Sequence, residues 1–293
     1  MDDKTPQLLP VTSDFVFKLI FGDQRNTDIL AEFLKAVLDI PESEYESITV
    51  ADPHVKKERL DDKYGILDVK IRTKSGNVVN VEIQVIEIPE MKHRSVYVIS
   101  KMVTEQMSAG RNHSDLRRSV SIIITSFELV KENKHYHNQF RYRSHQDGAE
   151  FTDLTEINTL ELPKLPRQGD SSELWYWLRF IKTGDEEELN MLAERNPQMS
   201  KAVGVLKELS ADEETRRLYE RRELARRDMV SRMEGALRKG IGIGKTEGKR
   251  EGKKEGRIEE KSNIARNMLK ANMPLAQIAS LTGLSRDEIN ALR

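Results

Sequence analysis

The chain has 293 residues, 48 Lys+Arg against 49 Asp+Glu, a formal net charge of -1 and no cysteine. Lack of cysteine excludes a disulfide framework, a thiolate zinc site and a Cys nucleophile. Balanced charge excludes an overall basic protein but leaves room for a local nucleic-acid site.

Hydrophobic residues make up 37% of the chain, low but enough for a core, and the length fits one large domain or two modest ones. No apolar run approaches the ~20 residues that span a bilayer. The start, Met1-Asp2-Asp3-Lys4, lacks the basic-then-apolar pattern of a signal peptide. The expectation is a cytoplasmic protein without a membrane partner.

In chain order, a first helix begins near Ser13, a good N-cap residue. Phe15, Leu19, Phe33, Leu34, Val37 and Leu38 supply apolar side chains at helical intervals. Gly22-Asp23 breaks this region into two helices, and Pro41 ends the second. A hairpin follows. Leu67, Val69 and Ile71 alternate with Asp68 and Lys70, and Val79, Val81, Ile83 and Val85 alternate with Asn80, Glu82 and Gln84. Lys74-Ser75-Gly76-Asn77 between them is turn chemistry.

A helix is expected over 91–109, with Val96, Ile99, Val103 and Met107 on its apolar face and Arg94, Tyr97 and Lys101 opposite. Residues 119–127 read as a buried strand, and 137–162 as one or two more. Helices follow over 173–182, 201–209 and 213–237. This order argues for an α/β domain with a mixed central sheet over 1–170, then a helical extension over 171–235. Residues 236–261 form a Gly/Lys/Glu repeat, and 262–293 a small helical module.

The apolar alternation sets the hairpin register. Leu67, Val69 and Ile71 should lie opposite Ile83, Val81 and Val79, because a one-residue slip sets apolar against polar throughout. Asp68 then faces Glu82, and Gln84 points to the same side. Opposed carboxylates repel across a sheet. A hard divalent cation, Mg²⁺ or Mn²⁺, relieves that repulsion and, retaining waters, activates one for attack on a phosphate. The competing reading is a solvent-facing hairpin neutralised by Lys63 and Lys70.

These residues resemble a known family. Ser13-Asp14-Phe15-Val16-Phe17-Lys18, Leu67-Asp68-Val69, Val81-Glu82-Ile83-Gln84 and Arg94-Ser95-Val96-Tyr97 occur in the order and spacing of the recombination-promoting nuclease (Rpn) family. That family is also described as transposases and belongs to the PD-(D/E)XK nuclease superfamily. The likeness continues through Leu160 to Leu165, Trp175 to Phe180 and Leu209 to Glu213, covering roughly residues 8–235.

The resemblance implies a PD-(D/E)XK restriction-endonuclease-like core over 1–170 with Asp68 and Glu82 as metal-binding acids. Gln84 would stand where most of the superfamily has Lys. Its amide orients a water but carries no positive charge. Asp14 matches an acidic position and would help hold the metal or its waters, unless it is only a helix-start acid favoured by the macrodipole. Arg94, with Lys101 one face-repeat on, would contact the scissile phosphate. The alternative for Arg94 is an ion pair with Glu90 at i, i+4.

Other constellations carry less. His135-Tyr136-His137 lacks a third ligand at metal spacing. No Walker-type loop follows a strand, so no nucleotide cofactor is expected.

In the tail, Gly240, Gly244, Gly248, Gly252 and Gly256 recur every four residues, and 237–261 holds nine Lys/Arg against five Glu. Each Gly costs a helix about 0.8–1 kcal/mol relative to Ala. A flexible charged linker and a self-associating helix are both open. Ala279, Gly283 and Ile289 resemble a helix-turn-helix. Asp287 and Glu288 on its second helix suit packing or oligomerisation better than the major groove.

The expected function is a Mg²⁺- or Mn²⁺-dependent DNA endonuclease that promotes recombination, linked to mobile elements or defence, and acting as a dimer. The competing expectations are a catalytically silent, oligomeric DNA-binding protein that keeps the nuclease fold, and a ribonuclease.

Overall fold

The computed structural model describes residues 7–38, 40–50, 69–107 and 111–292. Leu67 and Asp68, and with them the expected Asp68–Glu82 pairing, lie outside the described residues. The chain divides into two compact units, residues 1–222 and 223–293.

In the first unit, α1 (Asp14–Phe21) and α2 (Thr27–Val37) precede β1 (Thr49–Val50), β2 (Val69–Arg72) and β3 (Val78–Gln84). Then come α3 (Met91–Thr104), β4 (Ser119–Thr125), β5 (His137–Arg143) and β6 (Glu150–Glu161). Three helices follow: α4 (Glu173–Lys182), α5 (Glu186–Ala193) and α6 (Pro197–Ala211). Ser13 is the N-cap of α1 by backbone position, without a side-chain cap bond.

The six strands form one mixed sheet in the order β1-β2-β3-β4-β6-β5. β2 and β3 pair antiparallel, with Val69 opposite Val81 and Ile71 opposite Val79, the register that the apolar alternation requires. The turn between them needs the left-handed backbone of Gly76, at φ 91°. Glu44 clamps it, accepting bonds from the Thr73 hydroxyl at 2.6 Å and the Ser75 hydroxyl at 2.6 Å. β4 then runs parallel to both β3 and β6.

One sheet face is apolar. Val69, Ile71, Val79, Val81, Ile83, Val120, Ile122, Ile124 and Leu160 join side chains of α1, α2, α4, α5 and α6 in the main core. An aromatic cluster seats the helices. Phe17 stacks on Phe21 at 4.6 Å, and Phe21 meets Phe33 at 5.3 Å and Trp177 at 6.0 Å between ring centroids.

On the other face α3 packs against β4 and β6, and β3 is polar there. α3 departs from expectation here. Val96 is 55% exposed, and the buried residues of the helix are Met91, Ser95, Ile99 and Met102. The face is turned because the surface beneath it is polar: just past the helix, buried Gln106 donates to the Ser119 hydroxyl at 2.8 Å. An apolar-periodicity rule cannot anticipate a helix that buries Ser95 and is followed by a buried Gln106.

α7 (Glu213–Lys270) is one 58-residue helix that runs through the Gly repeat. Ion pairs such as Arg217–Glu213 at 3.0 Å and Arg238–Glu234 at 3.5 Å support it at i, i+4 spacing. In the second unit, α8 (Leu275–Thr282) and α9 (Arg286–Asn290) follow it. Ala265, Ile278 and Ile289 form a small core, joined by Met268, Leu269, Met273, Leu275, Ala279, Leu284 and Leu292.

Gly283 caps α8 in the left-handed conformation, φ 69°. Its value there is backbone freedom. Glu288 serves α9 as half of a capping box with Ser285, accepting from the Ser285 amide at 2.7 Å. That bond is the main cause holding its carboxyl below the usual range. The acid that looked ill-suited to DNA is helix-start chemistry.

Candidate active site

The candidate site lies at the carboxyl end of the parallel pair β3 and β4, where open α/β sheets commonly place ligands. β3 alternates strictly. Its odd-numbered residues enter the apolar core, so Asn80, Glu82 and Gln84 share the opposite face. All three are buried, Glu82 completely at 0% exposure. Across the parallel register Asn80 faces Ser121, Glu82 faces Ile123 and Gln84 faces Thr125.

The start of α3 brings Arg94 to this face. Its guanidinium lies 3.8 Å from the Glu82 carboxylate. Of the two partners open to Arg94, the structure records the strand carboxylate, not a pair with Glu90. Lys101 lies two turns further along α3 and is 56% exposed, 3.6 Å from Glu105. Lys70, opposite Asn80 on β2, is also within 3.8 Å of Glu105. The structure thus brings Glu82, Gln84 and Arg94 together and leaves Lys101 with Glu105. Tyr97 is exposed on α3, outside the core.

Asp14 opens α1, where one carboxylate oxygen accepts from the Phe15 amide at 2.7 Å. Arg222 approaches it at 3.9 Å and stands over the Phe15 ring at 5.2 Å. The pair joins residues 208 positions apart in the chain, so no local pattern could reveal it.

Two polar residues escaped the sequence reading. Asn80 and Ser121 are fully buried neighbours across β3 and β4. Both amide atoms of Asn80, the Ser121 hydroxyl and the Gln84 amide nitrogen have no hydrogen-bond partner among the described residues. Each such group costs about 1–3 kcal/mol in a folded interior. The signal was present: Asn80 is polar in a strand buried on both faces.

The donor set is oxygen-rich. Glu82 offers a carboxylate, and Gln84 and Asn80 offer amide oxygens, without sulfur. Hard cations such as Mg²⁺ and Mn²⁺ prefer such donors. Among the described residues no group of three or more His, Cys, Asp and Glu could hold a metal. The sequence expectation assigns the second carboxylate to Asp68, which lies outside the described residues.

The first unit is thus a mixed sheet with a buried acid-x-amide strand beside an arginine-bearing helix. Residues 11–236 match the family model described as PD-(D/E)XK nuclease family transposase. Residues 259–293 match that of the Rpn/YhgA-like nuclease family, C-terminal HTH domain. The chain therefore belongs to the Rpn family of PD-(D/E)XK nuclease transposases, and its last module matches the family's C-terminal helix-turn-helix domain. No curated protein and no solved structure gives a significant match. Among the described residues, no helix is long and apolar enough to cross a membrane.

Proposed function

We propose that this protein is a metal-dependent DNA endonuclease, acting in the cytoplasm as a dimer and promoting recombination. One observation carries the reading: the buried Glu82-x-Gln84 strand with Arg94 3.8 Å from the acid, in a chain whose residues 11–236 match a nuclease family. Glu82 and Asp68 would hold Mg²⁺ or Mn²⁺, with Asp14 as an additional acid. When bound, such a cation supplies Lewis-acid polarisation of the phosphate and a more acidic water.

The protein's own groups do the rest. The Gln84 amide orients the attacking water but brings no charge. Arg94 supplies the missing positive charge to the phosphate oxygens. Lys101, exposed on the same helix, extends the phosphate contact along the substrate backbone. The helix-turn-helix delivers DNA, and two copies would present one active site to each strand.

The test is cleavage of supercoiled plasmid with Mg²⁺, Mn²⁺ or EDTA by wild type, Asp68→Ala and Glu82→Ala. Cation-dependent nicking should fall about 100-fold or more in both variants, since loss of several kcal/mol of transition-state stabilisation is at stake. Equal cutting by all three proteins would sink the assignment. A parallel RNA substrate separates DNase from RNase, and light scattering reads the dimer. DNA binding without turnover under any cation would favour the silent binding protein.

A further inference from the structure

Asn80 and Ser121 pose a physical problem that the proposed chemistry does not use. Both side chains are fully buried, and they face one another across the parallel strands. Adjacent strands lie about 4.8 Å apart. Yet neither side chain hydrogen-bonds to the other or to any described residue. One pleat earlier Gln106 donates to the Ser119 hydroxyl, but no described residue does the same for Ser121. A Val or Leu at position 80 would avoid the penalty.

Along β3, Asn80 and Glu82 project from the same face one pleat apart, about 6.7 Å. That is too far for a direct hydrogen bond and suits one bridging water. Buried waters make about three hydrogen bonds to groups otherwise unsatisfied. Asn80 offers a donor and an acceptor, and Ser121 offers a hydroxyl.

We propose that Asn80 and Ser121 hold a buried water that bridges to the Glu82 carboxylate and fixes its orientation. They are positioning residues, acting through Glu82. The water site itself rests only on the strand register and burial; its consequence for cation binding rests on the nuclease reading above. A carboxylate held this way keeps a fixed orientation towards the cation, and loss of the groups that orient a metal ligand typically changes metal affinity 10–100-fold.

Two readouts test this on the full-length protein. First, a high-resolution crystal structure should show a water within hydrogen-bond distance of both Asn80 and Ser121, and its absence would overturn the proposal whatever the metal does. Second, Mn²⁺ is titrated and free ion followed by electron paramagnetic resonance. Asn80→Leu and Ser121→Ala should each bind Mn²⁺ about 10-fold more weakly. Their melting temperatures should fall modestly, because each change removes one of the water's partners and leaves the remaining buried polar group less well paired. Asn80→Ser, which keeps a hydroxyl and leaves room for water, should recover part of the affinity.

A purely structural role would move the melting temperature and leave Mn²⁺ affinity untouched, which would overturn the positioning role. If Asn80→Leu fails to fold, Ser121→Ala decides alone. Wild type that binds no Mn²⁺ sinks the nuclease reading, and the crystallographic water then judges the water site by itself.

Discussion

Glu156 shows what buried charge does here away from the candidate site. It lies on β6, fully buried, and accepts bonds from Asn158 at 2.7 Å, from Arg118 at 2.6 Å and from Arg141. Burial works to raise its pKa. Those hydrogen bonds and the Arg118 charge outweigh burial and hold the carboxyl below its ordinary value of 4.5. A lowered folded value means that the stabilisation is complete above the ordinary value and is lost as pH falls through the lowered one. Glu156→Gln leaves two arginines facing an uncharged amide. It should cost about 3–5 kcal/mol at neutral pH. Denaturant titrations across pH should show the wild-type advantage shrinking in acid. An advantage independent of pH would refute the ionised-carboxylate account.

At this scale the sequence was informative where a residue's partner is nearby. Glu82 and Gln84 were legible because alternation along one strand fixes their face. Arg94 was placed on the right helix, but its partner was not, because an i, i+4 rule offers Glu90 before a strand residue twelve positions earlier. The Asp14–Arg222 approach was invisible for the same reason, on a larger sequence separation.

Elements divide by how much of their environment they carry with them. α1 and α2, the β2–β3 hairpin and α4 fall where caps, turns and apolar spacing put them. α4 goes further: Trp177 and Phe180 enter the aromatic cluster with Phe21, so the helical extension is part of the main core.

α7 is the opposite case. Its composition left linker and helix in balance, and the structure makes it continuous helix through five repeat glycines. An added Cβ at Gly248 or Gly252 meets nothing within 4 Å. Gly248→Ala and Gly252→Ala should therefore each stabilise the helix by about 0.8–1 kcal/mol. Helicity by circular dichroism should rise through the thermal melt. Destabilisation would mean that another helix lies against the glycine stripe closely enough to exclude a methyl group.

For the whole molecule, the two units have separate cores, and their stabilities should separate as well. Ile278 is fully buried between Ala265 and Ile289 in the second unit. Ile278→Ala should cost about 2–5 kcal/mol, more than so small a core can spare. Hydrogen exchange should then show residues 259–292 opening while the sheet amides of the first unit keep their protection, with DNA affinity reduced. Uniform loss of protection across both units would contradict independent cores.

The sequence by itself determined the family, the α/β class, the hairpin register and the shared face of Glu82 and Gln84. Each depends on order, short-range periodicity or turn chemistry, which a linear pattern contains. Tertiary structure alone decided which face α3 buries, which acid Arg94 meets and how the Gly repeat folds. It also decided that Asn80 and Ser121 lie together without hydrogen-bond partners among the described residues. Those outcomes depend on which surfaces meet across strands and helices, and free energies of burial and pairing are set by that meeting, not by sequence spacing.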